Sequence, residues 1–448
     1  MGRAATVSVW LAVAVVLATV GAVCFPIADA LDADPRVGVG TYSGGPTAAP
    51  PPAVLEPVKV AAGADSGRLA AQLEVVASPG GPVLGVVLDA VTGEELYRRG
   101  SGTATPASSM KVLSGVVALD VLGPDTRFVT STWLSPEGTL VLHGEGDPLL
   151  TSAASTAYPF PASLTDLADQ TVTELRARGL GTVALEYDAS RFGEPGWNPA
   201  WSEIFAWSVA PVSALTVDHG RVDPASATRA EDPARLAADS FATLLTARGI
   251  TVLTVDPARR ARDAVQVAAV RSPTVATLVE QSLLYSDNDV AETLTWQVAV
   301  ARGELATPTT AARALTAELR RLGLMDDGMV IVDGNGIASD NAVTPQSLAE
   351  AVRLALTEDR LRAVATGLPV AGATGTLRNR FTEADAAAGR GLIRGKTGTL
   401  RGVNTLTGYV ITQEGQALVF SFLVSGVGQD TGRLWLDETA AALAACGC

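Results

Sequence analysis

Apolar residues fill the start of the chain without interruption. Between Arg3 and Asp29 the sequence contains no charged side chain, and a helix of about 20 apolar residues spans a bilayer. Because Arg3 and the amino terminus precede this run, the positive-inside tendency predicts that everything after residue 30 lies outside the cytoplasm. Segment 1–30 is therefore predicted to be a membrane anchor or, since Ala28-Asp29-Ala30 resembles a small-residue cleavage site, a removed signal. Lipid attachment at Cys24 is a weaker third alternative, because valine rather than a small residue precedes it.

Residues 31–60 have the composition of a spacer. They contain few large apolar side chains and a proline-rich stretch, Pro-Thr-Ala-Ala-Pro-Pro-Pro, at positions 46–52. A segment of this kind has too few apolar side chains to pack and stays extended. The pattern predicts a linker between the amino-terminal segment and the folded part of the chain.

Helical and strand periods alternate from residue 61 onward. A helix is predicted over 68–76, followed by a strand pair at 83–89 and 94–97. After Lys111, apolar residues at helical spacing predict a buried helix, which a Gly-Pro pair ends. This part of the chain, 61–125, is predicted to form the first half of a domain.

The pattern then changes twice. Short strands and turns prevail between 126 and 265, and long helical patterns return from about residue 270. The strands predicted in these two parts, and the final helix, are 128–134, 139–143, 406–411, 417–424 and 430–445. The sequence therefore predicts an α/β (α+β) fold in which an inserted accessory unit, 126–265, interrupts a domain that 266–448 completes.

Composition narrows the possible functions. The chain of 448 residues is 47% hydrophobic and has a mean hydropathy of +0.26, which predicts a packed core. Its formal charge of −14 and pI of about 4.7 exclude a nucleic-acid partner, because phosphate binding needs a concentrated basic face. Two histidines and three cysteines provide neither metal-ligand spacing nor a disulfide framework, so no metal or cofactor is expected. The terminal Cys446 and Cys448 are interpreted as a loose tail that can oxidise.

The first candidate for chemistry is a serine followed three residues later by a lysine, Ser108 and Lys111, at the predicted start of a helix. Residues three apart lie on one helix face, so the lysine amine can reach the serine hydroxyl. Serine is a poor nucleophile until a base removes its proton, and a lysine desolvated in a pocket can be neutral enough to act as that base. The helix amino terminus favours a developing oxyanion. Alone, this common spacing is weak evidence.

Lysine is rare in this chain. Only Lys59, Lys111 and Lys396 occur among 33 basic residues. Arginine stays protonated in proteins and cannot replace lysine as a base. The lysines that remain are therefore candidates for chemistry, and two of the three lie in motifs. Lys59 lies at the end of the spacer and needs no special role.

The second lysine motif is Lys396-Thr397-Gly398-Thr399, at the end of a strand predicted over 391–399. Glycine in such a strand lets a ligand approach the backbone closely. An extended peptide can bind along an edge strand of this kind. Thr397, Gly398 and Thr399 are therefore assigned to substrate binding, with an ordinary hairpin edge as the alternative.

The third element is Ser286-Asp287-Asn288. Ser286 is placed to relay a proton from Lys111, and the Asn288 amide to orient a substrate carbonyl or the lysine. A helix cap explains the triplet equally well, and a second Ser-Asp-Asn occurs at 339–341. The first triplet is preferred because it opens a helical pattern, whereas the second follows a glycine-rich turn.

Three motifs in the order Ser-x-x-Lys, Ser-x-Asn and Lys-Thr-Gly form a signature of β-lactamases and penicillin-binding proteins. Over roughly residues 65–445 the chain resembles one branch, the low-molecular-mass class C penicillin-binding proteins, which are D-alanyl-D-alanine carboxypeptidase/endopeptidases. The matching stretches outside the three motifs are 144–148, 188–197, 210–215, 333–341, 368–372 and 375–377.

The resemblance implies a serine β-lactamase/transpeptidase-like catalytic domain with an inserted accessory domain. It implies that Ser108 is acylated, with Lys111 as its base and Ser286 passing the proton to the leaving amine. The backbone N–H groups of Ser108 and Thr399 would hold the oxyanion. The positive charge of Lys396 is expected to keep Lys111 neutral.

The same resemblance implies the partners. These are peptidoglycan stem peptides, whose carboxylate Lys396, Thr397 and Thr399 would engage, and β-lactam antibiotics that acylate Ser108. The implied location is the cell envelope outside the cytoplasm. A β-lactamase-like hydrolase and a non-catalytic penicillin-binding sensor are the alternatives, and the oligomeric state is left open.

Two departures from the family pattern change these expectations in detail. Asn335 and Ala338 stand where the family's Asp-Gly-Ser-Gly-Leu-Ser loop places serines, so the mouth of the site is expected to differ. Between Lys111 and Ser286 lie 174 residues, fewer than in the larger family members, so one of their accessory domains is expected to be missing.

Overall fold

The structure is a computed structural model that describes residues 64–223 and 225–447. The predicted anchor or signal, the linker and Lys59 lie outside the described residues. Within the described ranges, no helix combines the length and the apolar character needed to cross a bilayer.

The regular elements follow the predicted periodicity closely. The α-helices of the described part are, in chain order, α1 (Ser66–Glu74), α2 (Met110–Leu122), α3 (Leu164–Ala177), α4 (Pro233–Ala247), α5 (Val275–Leu284), α6 (Asn288–Ala301), α7 (Pro308–Arg321), α8 (Pro345–Thr357), α9 (Arg362–Gly367) and α10 (Gln429–Ala444). The strands are β1 (Val83–Asp89), β2 (Glu95–Arg99), β3 (Val129–Leu134), β4 (Leu140–Gly144), β5 (Thr182–Asp188), β6 (Thr251–Pro257), β7 (Val265–Arg271), β8 (Ile393–Leu400), β9 (Val403–Ile411) and β10 (Ala417–Ser425).

One antiparallel sheet joins the two ends of the described chain. Its strand order is β2-β1-β10-β9-β8, so β1 from the start pairs with β10 from the end, in a register that sets Val83 opposite Val424. Strand β8, which carries Lys396, pairs only with β9 in this sheet and lies at its edge. The sequence predicted this edge position.

Side chains on alternate positions of this sheet enter two hydrophobic cores. Val86 and Leu88 of β1 pack with α2 and α8 on one face, whereas Val87 packs with α1 and α10 on the other. A strand buried on both faces reads as a nearly continuous apolar run, which explains why Ser421 is the only polar residue between Ala417 and Val424 in β10. Each fully buried aliphatic side chain contributes about 1.5–3 kcal/mol of hydrophobic stabilisation.

A second five-stranded sheet has the order β6-β5-β4-β3-β7. Strands β4, β5 and β6 run parallel to one another, and β3 is antiparallel to both of its neighbours. Helices α3 and α4 cover this sheet and form a third core with it. All five strands lie within 129–271, so the predicted inserted unit 126–265 contains β3 to β6 and only the first residue of β7. The domain boundaries themselves stay predictions.

The helices that carry the candidate site are core helices. In α2 every residue from Met110 to Leu119 is buried, and in α6 every residue from Asp289 to Ala299 is buried. A helix that is enclosed on all sides has little freedom to move relative to its neighbours. The polar side chains at the start of each helix are thereby held on a rigid frame.

Two sequence expectations need correction here. The helix that follows Ser108 begins at Met110, and Ser108 itself lies in a 3-10 turn, Ala107–Ser109. Cys446 is not in a loose tail, because it is fully buried in the core beside α10 and is disulfide-bonded. Burial of that residue follows from the packing of α10 against the sheet, which a terminal position in the sequence does not reveal.

The 3-10 turn is held between two glycines. A Cβ atom on Gly336 would lie 2.0 Å from the carbonyl oxygen of Ala107, and one on Gly398 would lie 2.6 Å from that of Pro106. The Thr405 hydroxyl donates to the Pro106 carbonyl at 2.9 Å. Gly398 therefore lets the protein's own turn approach β8. From the sequence, a ligand was expected to approach the backbone there.

We predict that Gly398→Ala lowers the free energy of unfolding by about 1–3 kcal/mol, because the added methyl group overpacks the contact with the turn. Gly181→Ala is the matched control, since a Cβ there meets nothing within 4 Å and its φ is ordinary. Urea denaturation of both variants measures the difference. Equal stabilities would contradict the packing described for the turn.

Candidate active site

Ser108 and Lys111 meet across one helical turn at the start of α2. The Lys111 Nζ lies 3.0 Å from the Ser108 Oγ. Lys111 is 1% exposed, whereas Ser108 is partly exposed. The arrangement places a buried amine beside an accessible hydroxyl, as the spacing predicts.

Two further acceptors fix the direction of the amine. The Lys111 Nζ donates to the Asn288 Oδ1 at 2.7 Å and to the Asn335 carbonyl oxygen at 2.6 Å. Asn288 donates through its Nδ2 to the Ser208 carbonyl, which sets the orientation of its amide. A neutral amine has two N–H donors and one lone pair. With both donors engaged, the lone pair faces the Ser108 hydroxyl, which is the geometry of a general base.

Lys396 and Ser286 form a second amine–hydroxyl pair. The Lys396 Nζ donates to the Ser286 Oγ at 2.9 Å and to the Thr397 carbonyl at 2.8 Å. Lys396 is fully buried on β8. The three sequence motifs therefore converge at one place, although 287 residues lie between Ser108 and Lys396.

Ser286 has a strained backbone. Its φ is +59°, a left-handed conformation that non-glycine residues seldom adopt and that often marks functional sites. The next residue, Asp287, caps α6 by accepting from the Val290 N–H at 3.0 Å. Asp287 therefore caps the helix, and the strained Ser286 beside it stays the candidate for chemistry.

Two cavities meet at the serines. One, of about 340 Å³, is lined by Ser108, Ser286, Thr376, Asn379, Arg380, Thr397, Thr399 and Arg433. The other, of about 510 Å³, also contains Ser108 and Ser286 and extends towards Trp207, His219 and Tyr285. A substrate bond held over Ser108 would have one flank in each cavity. Neither Lys396 nor Gly398 lines these two cavities. Gly398 instead contacts the turn that carries Ser108.

Burial lowers the pKa of Lys111 to about 8. Desolvation penalises the charged ammonium and is the largest cause. Four carboxyl groups act in the opposite direction, namely Asp333, Asp287, Glu292 and Asp289. About one tenth of the Lys111 side chains are then neutral at pH 7, and most are neutral above pH 9.

The pKa of Lys396 is lowered well below its ordinary value, first by burial and then by repulsion from Lys111. Desolvation is therefore the main cause that lowers the pKa of both amines, and the repulsion between Lys111 and Lys396 adds to it.

Sequence reasoning missed a pair of buried carboxyls behind Lys111. Burial and the neighbouring Asp333 raise the pKa of Glu292 to about 8, and burial raises the pKa of Asp333. The Glu292 Oε2 accepts from the Gly334 and Asn335 N–H groups. The pair thereby holds the loop whose Asn335 carbonyl contacts Lys111. Glu292 follows Asn288 by one helical turn, the only sequence signal that pointed to it.

The family departures lie away from the mouth of the site. Asn335 and Ala338 are both buried, and Asn335 contacts Lys111 through its main-chain carbonyl. A main-chain contact does not depend on the side chain, so replacement of a serine by Asn335 leaves it intact. In the second Ser-Asp-Asn triplet, Ser339 is exposed and Asn341 donates to the Asp333 Oδ1 at 2.6 Å. That triplet stabilises the loop.

A cluster of His219, Asp287 and Asp289 lies beside Asn288. Their potential ligand atoms lie within 4.8 Å of one another. The Arg229 Nη2 lies 3.3 Å from the Asp289 Oδ2, and the pKa of His219 is raised to about 9, first by Asp287. A guanidinium and a protonated imidazole already balance both carboxylates, so we interpret the cluster as ion pairs and not as a metal centre.

Comparisons with known proteins identify relatives of this chain in sequence and in fold. The model of the D-Ala-D-Ala carboxypeptidase 3 (S13) family matches residues 69–230 and 225–445. The chain is 35% identical to carboxypeptidase DacB of Mycolicibacterium smegmatis, over 89% of this chain and 90% of that protein.

Solved structures show a similar fold. The crystal structure of penicillin binding protein 4 (dacB) from Haemophilus influenzae covers 85% of this chain and 98% of its own, with a TM-score of 0.68 and 19% identity. The same protein complexed with a β-lactam has a TM-score of 0.64 and 18% identity, at the same coverage.

We predict that Ser286→Ala slows labelling of Ser108 by a fluorescent penicillin by about 10²–10⁴-fold, because the proton relay from Lys111 is lost. Ser339→Ala, in the exposed second triplet, serves as the control and is expected to label at the rate of the unaltered protein. Time courses of gel fluorescence measure both. Equal slowing in the two variants would show that Ser286 has no special role.

Proposed function

The chain belongs to the D-Ala-D-Ala carboxypeptidase 3 (S13) family, and from that premise we propose that Ser108 cleaves the terminal D-alanyl-D-alanine bond of peptidoglycan stem peptides through an acyl-enzyme. It is a serine-type D-alanyl-D-alanine carboxypeptidase of the penicillin-binding type. One observation carries the mechanism: the Lys111 Nζ lies 3.0 Å from the Ser108 Oγ while two other acceptors take its donors.

Acylation begins when Lys111, in its neutral form, takes the Ser108 hydroxyl proton. The Ser108 Oγ then forms a bond to the carbonyl carbon between the two D-alanines, and the C–N bond of that peptide breaks. The proton passes from Lys111 through Ser286 to the departing amine. By the family resemblance, the N–H groups of Ser108 and Thr399 hold the oxyanion. Ser108 lies in the 3-10 turn that leads into α2, and the first N–H groups at the start of a helix have no intrahelical acceptor.

Deacylation repeats these steps with water. Lys111 takes a proton from the water, whose oxygen bonds to the acyl carbon, and the Ser108 Oγ leaves and regains a proton. The products are the shortened peptide and free D-alanine. A β-lactam acylates Ser108 in the same way, but its amine stays tethered in the opened ring, so the acyl-enzyme persists.

The cavity next to β8 suits the carboxylate of the leaving D-alanine. Thr397 and Thr399 line it, and the family resemblance assigns them to this carboxylate together with Lys396. Arg433 lines the same cavity. Because burial holds the pKa of Lys396 well below its ordinary value, Arg433 supplies the dependable positive charge. The guanidinium of Arg380, also in the wall, is bonded to Asp437 at 2.7 and 2.8 Å.

We also propose that the protein acts outside the cytoplasmic membrane. The uncharged run between Arg3 and Asp29 supports this location, because it is long enough for a membrane anchor or an export signal. The peptidoglycan substrate supports it as well. Segment 1–30 lies outside the described residues, so anchoring and cleavage stay alternatives.

We predict that benzylpenicillin adds its own mass once to the protein and that Ser108→Ala abolishes this addition, because the hydroxyl that is removed is the one that lies 3.0 Å from the Lys111 amine. Ser101→Ala, which alters an exposed serine, is expected to bind as the unaltered protein does. Intact-protein mass spectrometry measures the adduct.

The same preparations, incubated with a pentapeptide and a cross-linked muropeptide, test turnover and substrate preference. Release of D-alanine supports the carboxypeptidase, and cleavage of the cross-link adds endopeptidase activity. A rapidly lost penicillin adduct without peptide cleavage would identify a β-lactamase-like hydrolase, and a stable adduct without cleavage a penicillin-binding sensor. Either result would overturn the proposed activity.

A further inference from the structure

His219 lies in a turn that is built to present it to α6. Both Asp218 and His219 have positive φ, +49° and +56°, a conformation rare for residues other than glycine. The His219 Nδ1 lies 3.6 Å from the Asp287 Oδ2 and 3.7 Å from the Asp289 Oδ2. The Arg229 Nη2 lies 3.3 Å from the Asp289 Oδ2. Two cations thus meet two carboxylates at the start of one helix.

The two carboxylates flank the residue that holds the catalytic amine. Asp287 precedes Asn288 and Asp289 follows it, and the Asn288 Oδ1 accepts from Lys111 at 2.7 Å. Left uncompensated, both carboxylates would attract a proton onto Lys111, because each raises the pKa of that lysine. They would also repel each other and disturb the segment that carries Ser286.

We propose that His219, as a cation, is a positioning residue for this reaction: together with Arg229 it neutralises Asp287 and Asp289, and so keeps Lys111 available as a neutral base. The inference rests on the proposed function and assigns a role in it to a residue that does not touch the reacting atoms. His219 acts through the ion pairs and through Asn288.

The charged groups around Lys111 and His219 are consistent with this role. Besides Asp287 and Asp289, the buried carboxyls of Asp333 and Glu292 and the amine of Lys396 face Lys111. Protonated His219 also faces Asp147, a buried carboxyl whose pKa burial raises to about 7 and His219 lowers. Arg221 lowers the pKa of Arg229 by repulsion.

The ring of His219 is protonated at neutral pH. Asp287 is the largest cause that raises its pKa to about 9. A group whose pKa is raised in this way keeps its charge below that value and loses it above. The charge is therefore present across the range in which Lys111, with a pKa of about 8, changes from acid to base.

The test is the pH dependence of acylation by a fluorescent penicillin, measured on the full chain. Removing the cation in His219→Asn, which keeps a residue tolerant of positive φ, should move the acidic limb of the rate profile to higher pH by about half a unit to one unit. Asp289→Asn removes a carboxylate and should move the limb in the opposite direction.

His143→Asn is the matched control, because it alters the other histidine of the chain, on β4. It should leave the profile in place. A purely structural role for His219 would scale the rate at all pH values without moving the limb, and shifts of the same sign in His219→Asn and Asp289→Asn would also overturn the inference.

A second readout does not depend on catalysis. The chain has two histidines, so NMR of protein labelled at the histidine rings gives two resonances that His143→Asn assigns. We expect the His219 resonance to titrate near pH 9. Titration near or below the ordinary histidine value of about 6.5 would contradict the inference. If neither the unaltered protein nor any of the variants is labelled, although the His219 resonance titrates as expected, the proposed function fails.

Discussion

The site depends on two lysine amines that the fold removes from water. Lys111 is 1% and Lys396 0% exposed, and a buried ammonium without compensation is costly by several kcal/mol. The structure lowers that cost in two ways. It provides acceptors for the N–H groups of each amine, and it lowers both pKa values so that neither amine must be charged. The consequence is an amine that is available as a neutral base near neutral pH.

A neutral amine is useful only if its lone pair points at the nucleophile, and here rigidity supplies the direction. Helices α2 and α6 are enclosed by the core, and the turn before α2 is held between Gly336 and Gly398. The polar partners of Lys111 therefore have no room to rearrange. A site formed on such elements keeps its geometry without a ligand.

The sequence predicted the elements that local patterns determine. The positions of β1 to β4 and β8 to β10, the edge location of β8 and the start of α6 after Ser286 followed from periodicity and capping, and rarity singled out Lys111 and Lys396. Strands β5, β6 and β7 were not predicted individually. The sequence could not predict contacts that arise from packing between distant segments. The Asn335 carbonyl at Lys111, for example, is a main-chain contact that carries no side-chain signal, and Arg433 reaches the cavity from the last helix.

The same limit explains the corrections. Gly398 was predicted to let a ligand approach the backbone, because the neighbouring sequence does not show that the turn at Ala107 packs on it. Cys446 looked like a tail because only tertiary packing buries it. The sequence alone could not show that burial is the main cause that lowers the pKa of Lys111 and Lys396.

The most direct test of the central claim is a pH titration of the three lysines by NMR, with carbon-13 at the Cε position. Lys111→Arg and Lys396→Arg assign the resonances. The account predicts that Lys111 titrates near pH 8 and Lys396 well below its ordinary value. Titration of Lys111 near the ordinary lysine value of about 10.4 would contradict the account, since an amine that stays charged cannot take the proton of Ser108.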